Sequence, residues 1–217
     1  ANLEYQIVRA RVVGHYASNK ADLVLEYERL LEISTSEFAR DANRYALAIA
    51  YYENQQFSQA NDTLAPLLKK DPNRISYAVT LAEILTEQNE PGQAINFLQR
   101  HLAINPGNNA LTIAYVDALI ESRAYTAASE ALARHSVSRP DDFQLWYKLA
   151  ETQGQAGNIS AVHQARAEYF RLLGDYQRAR QQLRSALKIE SDNGIAPAEE
   201  ARLRQKIQEI EKLQQNV

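Results

Sequence analysis

Pro72, Pro106 and Pro140 stand 34 residues apart, and the chain between them repeats in register. One leucine-type position reads Leu47, Leu81, Tyr115, Leu149, and the small position after it reads Ala48, Ala82, Val116, Ala150. A second small position reads Ala60, Ala94, Ala128, Val162. A second leucine position reads Leu64, Leu98, Leu132 and then breaks at Arg166. A fixed period of this length means stacked copies of one two-helix unit, each burying its apolar face against the next. Such a chain needs no single globular core, and 45% hydrophobic residues suffice for a continuous seam between helices.

Period, helix-pair pattern and the stop at each proline resemble the tetratricopeptide (TPR) repeat. The resemblance implies an all-α, right-handed superhelical solenoid of antiparallel helix pairs. Repeats are expected at 41–74, 75–108 and 109–142, with a fourth from Phe143 that has Trp146 at the usual tryptophan position. The register then shifts. Gly174-Asp175-Tyr176 repeats the turn at Gly157 only 17 residues later, so the helix from Ser160 serves both a fourth and a fifth repeat. The expected organisation is a degenerate helical pair over 1–40, a repeat array over 41–193 with a half-repeat shift near 160, and a C-terminal capping helix over 194–217. In the first pair, helices are expected from Tyr5 to Tyr16 and, capped by Ser18 or Asn19, to about Glu32. The terminal stripe Leu203, Ile207, Ile210, Leu213 suits a solenoid cap or a short coiled coil.

Several function classes drop out. A net charge of -3 argues against nucleic acid. The longest apolar run, Tyr45–Tyr52, is too short for a membrane span. Without cysteine there are no disulfides or thiolate metal sites. Methionine is missing even at position 1, so a processed or excised piece is expected. His15, His101, His135 and His163 form no His-Glu-x-x-His helix. His101 and His135 share one repeat position that usually carries alanine, which suggests loosened packing there. No phosphate loop or nucleophile elbow is visible, so no catalytic residue, metal ligand or cofactor is expected in this chain.

The TPR resemblance further implies which A-helix positions line a concave groove. They are Tyr45, Ile49, Tyr52 and Glu53; Val79, Glu83, Thr86 and Glu87; Ile113, Asp117, Ile120 and Glu121; and Gln144, Tyr147, Glu151 and Gln155. Glu53, Glu83, Glu87, Asp117, Glu121 and Glu151 are acidic, and none of the set is basic. Such a groove repels the C-terminal carboxylate held by chaperone-tail clamps. It suits a basic, amide-rich or unfolded polypeptide, unless the acids serve only to solvate the face. A second candidate surface is the arginine-rich stretch with Arg178, Arg180 and Arg184, opposed in its own sequence only by Glu168 and Asp175.

Residues 150–189, with the shared helix HQARAEYFRLLGDY, resemble the TPR half of bacterial periplasmic Ste24-like zinc metallopeptidases. Arg9-Ala10-Arg11 resembles the start of that array. The resemblance implies a periplasmic, non-catalytic module that recruits substrate or outer-membrane assembly machinery for its own protease domain. The zinc and the catalytic residues would belong to that domain, and no position here inherits them. The alternative is a free-standing TPR scaffold or co-chaperone.

Overall fold

A computed structural model describes residues 2–215. Ala1, and Asn216 and Val217 at the end of the expected cap, lie outside the described residues. The described residues form twelve helices and no strand. The chain divides into two compact units, with the boundary after Ser122.

The first unit holds α1 (Leu3–Tyr16), α2 (Lys20–Glu32), α3 (Glu37–Glu53), α4 (Phe57–Lys70), α5 (Ile75–Glu87), α6 (Pro91–Ile104) and α7 (Asn109–Glu121). Helices α3 to α7 pack each on the next, and α1 and α2 both pack on α3. Ile7, Leu23, Tyr27, Leu64 and Tyr77 join one continuous core. Asn19 caps α2 by accepting from the Ala21 and Asp22 amides.

The first pair is more regular than expected. Tyr16 and Lys20 bound its turn 37 residues before Glu53 and Phe57, which bound the next such turn. At that offset Ala10, Leu23 and Tyr27 match Leu47, Ala60 and Leu64, and all six are buried. The turn of this pair thus stands three residues further from the next one than the period of 34.

The second unit holds α8 (Tyr125–Ser138), α9 (Phe143–Gln155), α10 (Ile159–Leu172), α11 (Tyr176–Asp192) and α12 (Pro197–Gln215). The Trp146 indole donates to the Pro140 carbonyl at 2.9 Å, which ties α9 to the turn before it. Helix α10 packs on both α9 and α11, and α12 packs on α11. Leu203, Ile207 and Ile210 are buried with Ala179 and Leu183, whereas Leu213 is exposed. The terminal stripe is thus spent against α11 within the same chain.

Left-handed residues punctuate the turns between helices. Gln55, Asn89, Arg123 and Gly157 have φ of 60°, 62°, 60° and 80° and stand 34 apart; Gly174 follows at 77°, only 17 residues on. At four of these turns one amide closes back on the helix just ended: Gln56 N to Tyr51 O, Glu90 N to Leu85 O, Asn158 N to Gln153 O and Asp175 N to Phe170 O. This left-handed closure favours glycine. Gln55→Gly should therefore raise stability by roughly 0.5–1 kcal/mol, since the relief of left-handed strain exceeds glycine's entropy cost. A urea midpoint unchanged or lowered would refute this.

Candidate polypeptide-binding groove

The expected groove residues separate into three groups. On α3, Tyr45 and Ile49 are 0% and 3% exposed, which corrects their placement on an open face. Helix α1 covers that side of α3. It approaches closely because Gly14 has no side chain; a Cβ there would lie 2.6 Å from Ile49 Cγ2. Arg11, one turn earlier on α1, reaches past α3 to α5. Its Nε donates to Tyr45 Oη at 3.0 Å, Nη2 to Thr80 Oγ1 at 2.8 Å, and Nη1 and Nη2 to the two Glu83 oxygens at 3.2 and 2.7 Å. Tyr45 Oη and Thr80 Oγ1 are 2.9 Å apart. Burial alone would lower the Arg11 pKa, but Tyr45 and Glu83 carry it above the ordinary arginine value.

Tyr52, Glu83, Glu87 and Asp117 form the second group. With Val79, Thr86, Ile113, Asn109, Ala110 and Ala114 they line an open cavity of about 530 Å³ along α5 and α7. Cations from α1 and α2 offset Glu83 and Glu53. Arg11 binds Glu83, and Lys20 Nζ lies 3.7 Å from Glu53. The cavity nevertheless stays acidic in character. Burial, then the charges of Glu83, Glu87 and Glu53, push the Tyr52 hydroxyl up to about 12. Glu87 and Asp117 are exposed.

Ile120, Glu121, Tyr147 and Glu151 lie elsewhere. Half-buried Ile120 and exposed Glu121 are on α7 but do not line this cavity. Exposed Tyr147 and Glu151 belong to α9 in the second unit. A hydrogen bond to Glu151, then its charge, raises the Tyr147 pKa. The Tyr147 and Tyr169 rings are 5.6 Å apart.

Reading the repeat from residue 41 missed Arg11. At the 37-residue offset Arg11 occupies the small position filled by Ala48, Ala82, Val116 and Ala150, all buried. A guanidinium where every later repeat has a small apolar residue was the available signal.

The arginine-rich stretch is not a free basic surface. Arg180 and Arg184 reach Glu211 of α12 at 3.6 and 3.1 Å, and Arg178 pairs with Asp175 at 3.2 Å. Glu168 takes Arg171 at 2.7 Å and Lys206 at 2.8 Å. Burial would raise its pKa, but Lys206 and Arg171 hold it below the usual carboxylate range. These charges fasten the terminal helix.

The two paired histidine positions are not loosely packed either. His101 and His135 are 7% and 5% exposed, and the His101 ring sits 4.5 Å from Phe97. Burial, helped by Arg100, lowers the His101 pKa; burial, then Arg139, lowers that of His135. A histidine pKa depressed in the fold gives stability that is complete above the unfolded value, about 6.5, and is lost as pH falls towards the folded value. The melting temperature should fall between pH 7 and 5, and His101→Ala should flatten that slope. An unchanged slope in the variant would count against this role. Among the described residues no group of three or more His, Cys, Asp or Glu could hold a metal ion, and no helix is long and apolar enough to cross a membrane.

Comparison with known proteins agrees with this architecture. The family described as "Tetratricopeptide repeat" matches residues 85–167, and that described as "Anaphase-promoting complex, cyclosome, subunit 3" matches residues 21–101. The beta-barrel assembly-enhancing protease of Escherichia coli (strain K12) is 27% identical over 216 residues, 98% of this chain and 42% of its own. That of Yersinia pestis is 26% identical over 178 residues, 81% of this chain and 36% of its own. The chain thus spans roughly two-fifths of the length of these relatives. Among solved structures, YrrB, described as "a TPR protein with an unusual peptide-binding site", is similar in fold. Its TM-score is 0.53 at 16% identity, over 80% of this chain and 88% of that one. The chain has an all-α tetratricopeptide-repeat fold and is similar over most of its length to part of the beta-barrel assembly-enhancing proteases.

Proposed function

We propose that this chain is the partner-recruiting, non-catalytic part of a periplasmic zinc protease that serves outer-membrane protein assembly or quality control. It holds an extended basic or amide-rich polypeptide in the groove along α5 and α7. The observation that carries the reading is that groove: apolar Val79 and Ile113 flanked by Tyr52, Glu87 and Asp117 in one open cavity. Its volume suits a segment of side chains. Names of the curated relatives support the parent's role, and a peptide-binding site in a protein of like fold supports the use of the groove. In this reading zinc and peptide cleavage belong to the rest of the parent, and no catalytic step is assigned to this chain.

Binding of a labelled lysine-containing peptide should weaken about fivefold in Glu87→Lys, the scale of an exposed charge contact near 1 kcal/mol. It should also weaken as salt rises, because exposed charges are screened within about 8 Å at physiological ionic strength. Glu87 is the better test than Glu83, whose replacement also breaks the Arg11 bridge. Affinity indifferent to both changes would remove the groove from the function.

A further inference from the structure

We infer that the groove of the first unit has two compartments of different chemistry, divided by the Arg11–Glu83 bridge, and that they select an extended segment with an uncharged apolar side chain close to a basic one. This rests on the groove reading above and adds the ligand's pattern.

The first compartment is a cavity of about 680 Å³ between α1, the turn after α4, and α5. Val8, Ile75 and Val79 give it apolar walls, and Val8 is 59% exposed. Every charge on its rim is already paired: Glu4 with Arg74, Arg74 with Asp71 at 2.9 Å, and Arg11 with Glu83 at 2.7 Å. A charged ligand group would shed its water there and find no unpaired partner, whereas an apolar group gains from burial. Arg11 still has something to offer. Four of its five N–H groups are used, the fifth, on Nη1, has no partner among the described residues, and the side chain is 36% exposed. That donor suits a main-chain carbonyl.

The second compartment is the acidic cavity along α5 and α7, where Glu87 and Tyr52 face the ligand. Val79 and Ala110 line both cavities, so the two are contiguous. In an extended chain, alternate side chains point the same way, roughly 6.6–6.8 Å apart. A bound extended segment then presents an apolar residue to the first compartment and a nearby basic residue to the second.

The test uses the whole chain and short labelled peptides that differ only in the pair Leu-Ser-Lys, Leu-Ser-Glu, Ser-Ser-Lys and Glu-Ser-Lys, read by fluorescence anisotropy. Leu-Ser-Lys should bind about tenfold more tightly than each of the others. Val8→Asp, at an exposed site that leaves the core intact, should abolish the preference for Leu over Ser and keep Lys over Glu. Glu87→Lys should do the opposite. Lys selectivity lost in Glu87→Lys, with no discrimination at the leucine position, would overturn the two-compartment inference and leave the groove reading standing. Binding of all four peptides unaffected by either variant, or no binding at all, would overturn both.

Discussion

Arg11→Ala should destabilise the first unit by about 2 kcal/mol. Breaking one side of a fully buried ion pair costs roughly 3–5 kcal/mol, and this pair is about one-third exposed, so part of the Glu83 charge is recovered by water. The loss should be local. Amides of α1 and α5 should exchange faster with deuterium, while those of α11 and α12 keep their protection. Arg11→Lys should recover only part of the loss, because an ammonium keeps the charge but cannot grip both Glu83 oxygens while also serving Tyr45 and Thr80. Stability equal to the parent chain in Arg11→Ala would mean that the bridge is ornamental.

Gly14→Val should cost about as much, roughly 2–3 kcal/mol, through the opposite fault. Two effects compete at this position. Within a helix interior, replacing glycine gains at most about 1 kcal/mol in propensity. Against that, a Cβ would sit 2.6 Å from Ile49 Cγ2, a branch atom that cannot swing away without turning a side chain that is 3% exposed. Overpacking of this kind typically costs 1–3 kcal/mol. The clash wins for valine, and α1 should lift from α3. Gly14→Ala, with a smaller intrusion, should fall between the two. A denaturation midpoint that rises in Gly14→Val would show that α1 does not press on α3 at Gly14.

Much of this fold was legible because it is local. The prolines at 72, 106 and 140 and the turns at Gly157 and Gly174 mark helix ends through φ restriction and left-handed closure, which act within a few residues. The first pair read as degenerate because its turn stands 37 residues before the next, outside a period of 34.

The groove was legible only in part. Tyr52, Glu83, Glu87 and Asp117 do share one cavity, since helical spacing sets which residues share a face. Whether a face stays open depends on contacts far along the chain, which a period of 34 does not display. Tyr45 and Ile49 are closed off by α1, and Glu83 is claimed by a residue 72 positions earlier. Arg184 likewise finds its partner 27 positions later, in Glu211. A like-charged stretch in sequence says little about net exposure once another helix lies across it.

The most direct measurement is an amide chemical-shift titration of the whole chain with a lysine-containing extended peptide. The account predicts shifts concentrated in α5 and α7, from Val79 to Glu87 and from Asn109 to Asp117, which shrink in Glu87→Lys and at high salt. Shifts confined to α10–α12 around Arg178, Arg180 and Arg184, with α5 and α7 silent, would contradict it.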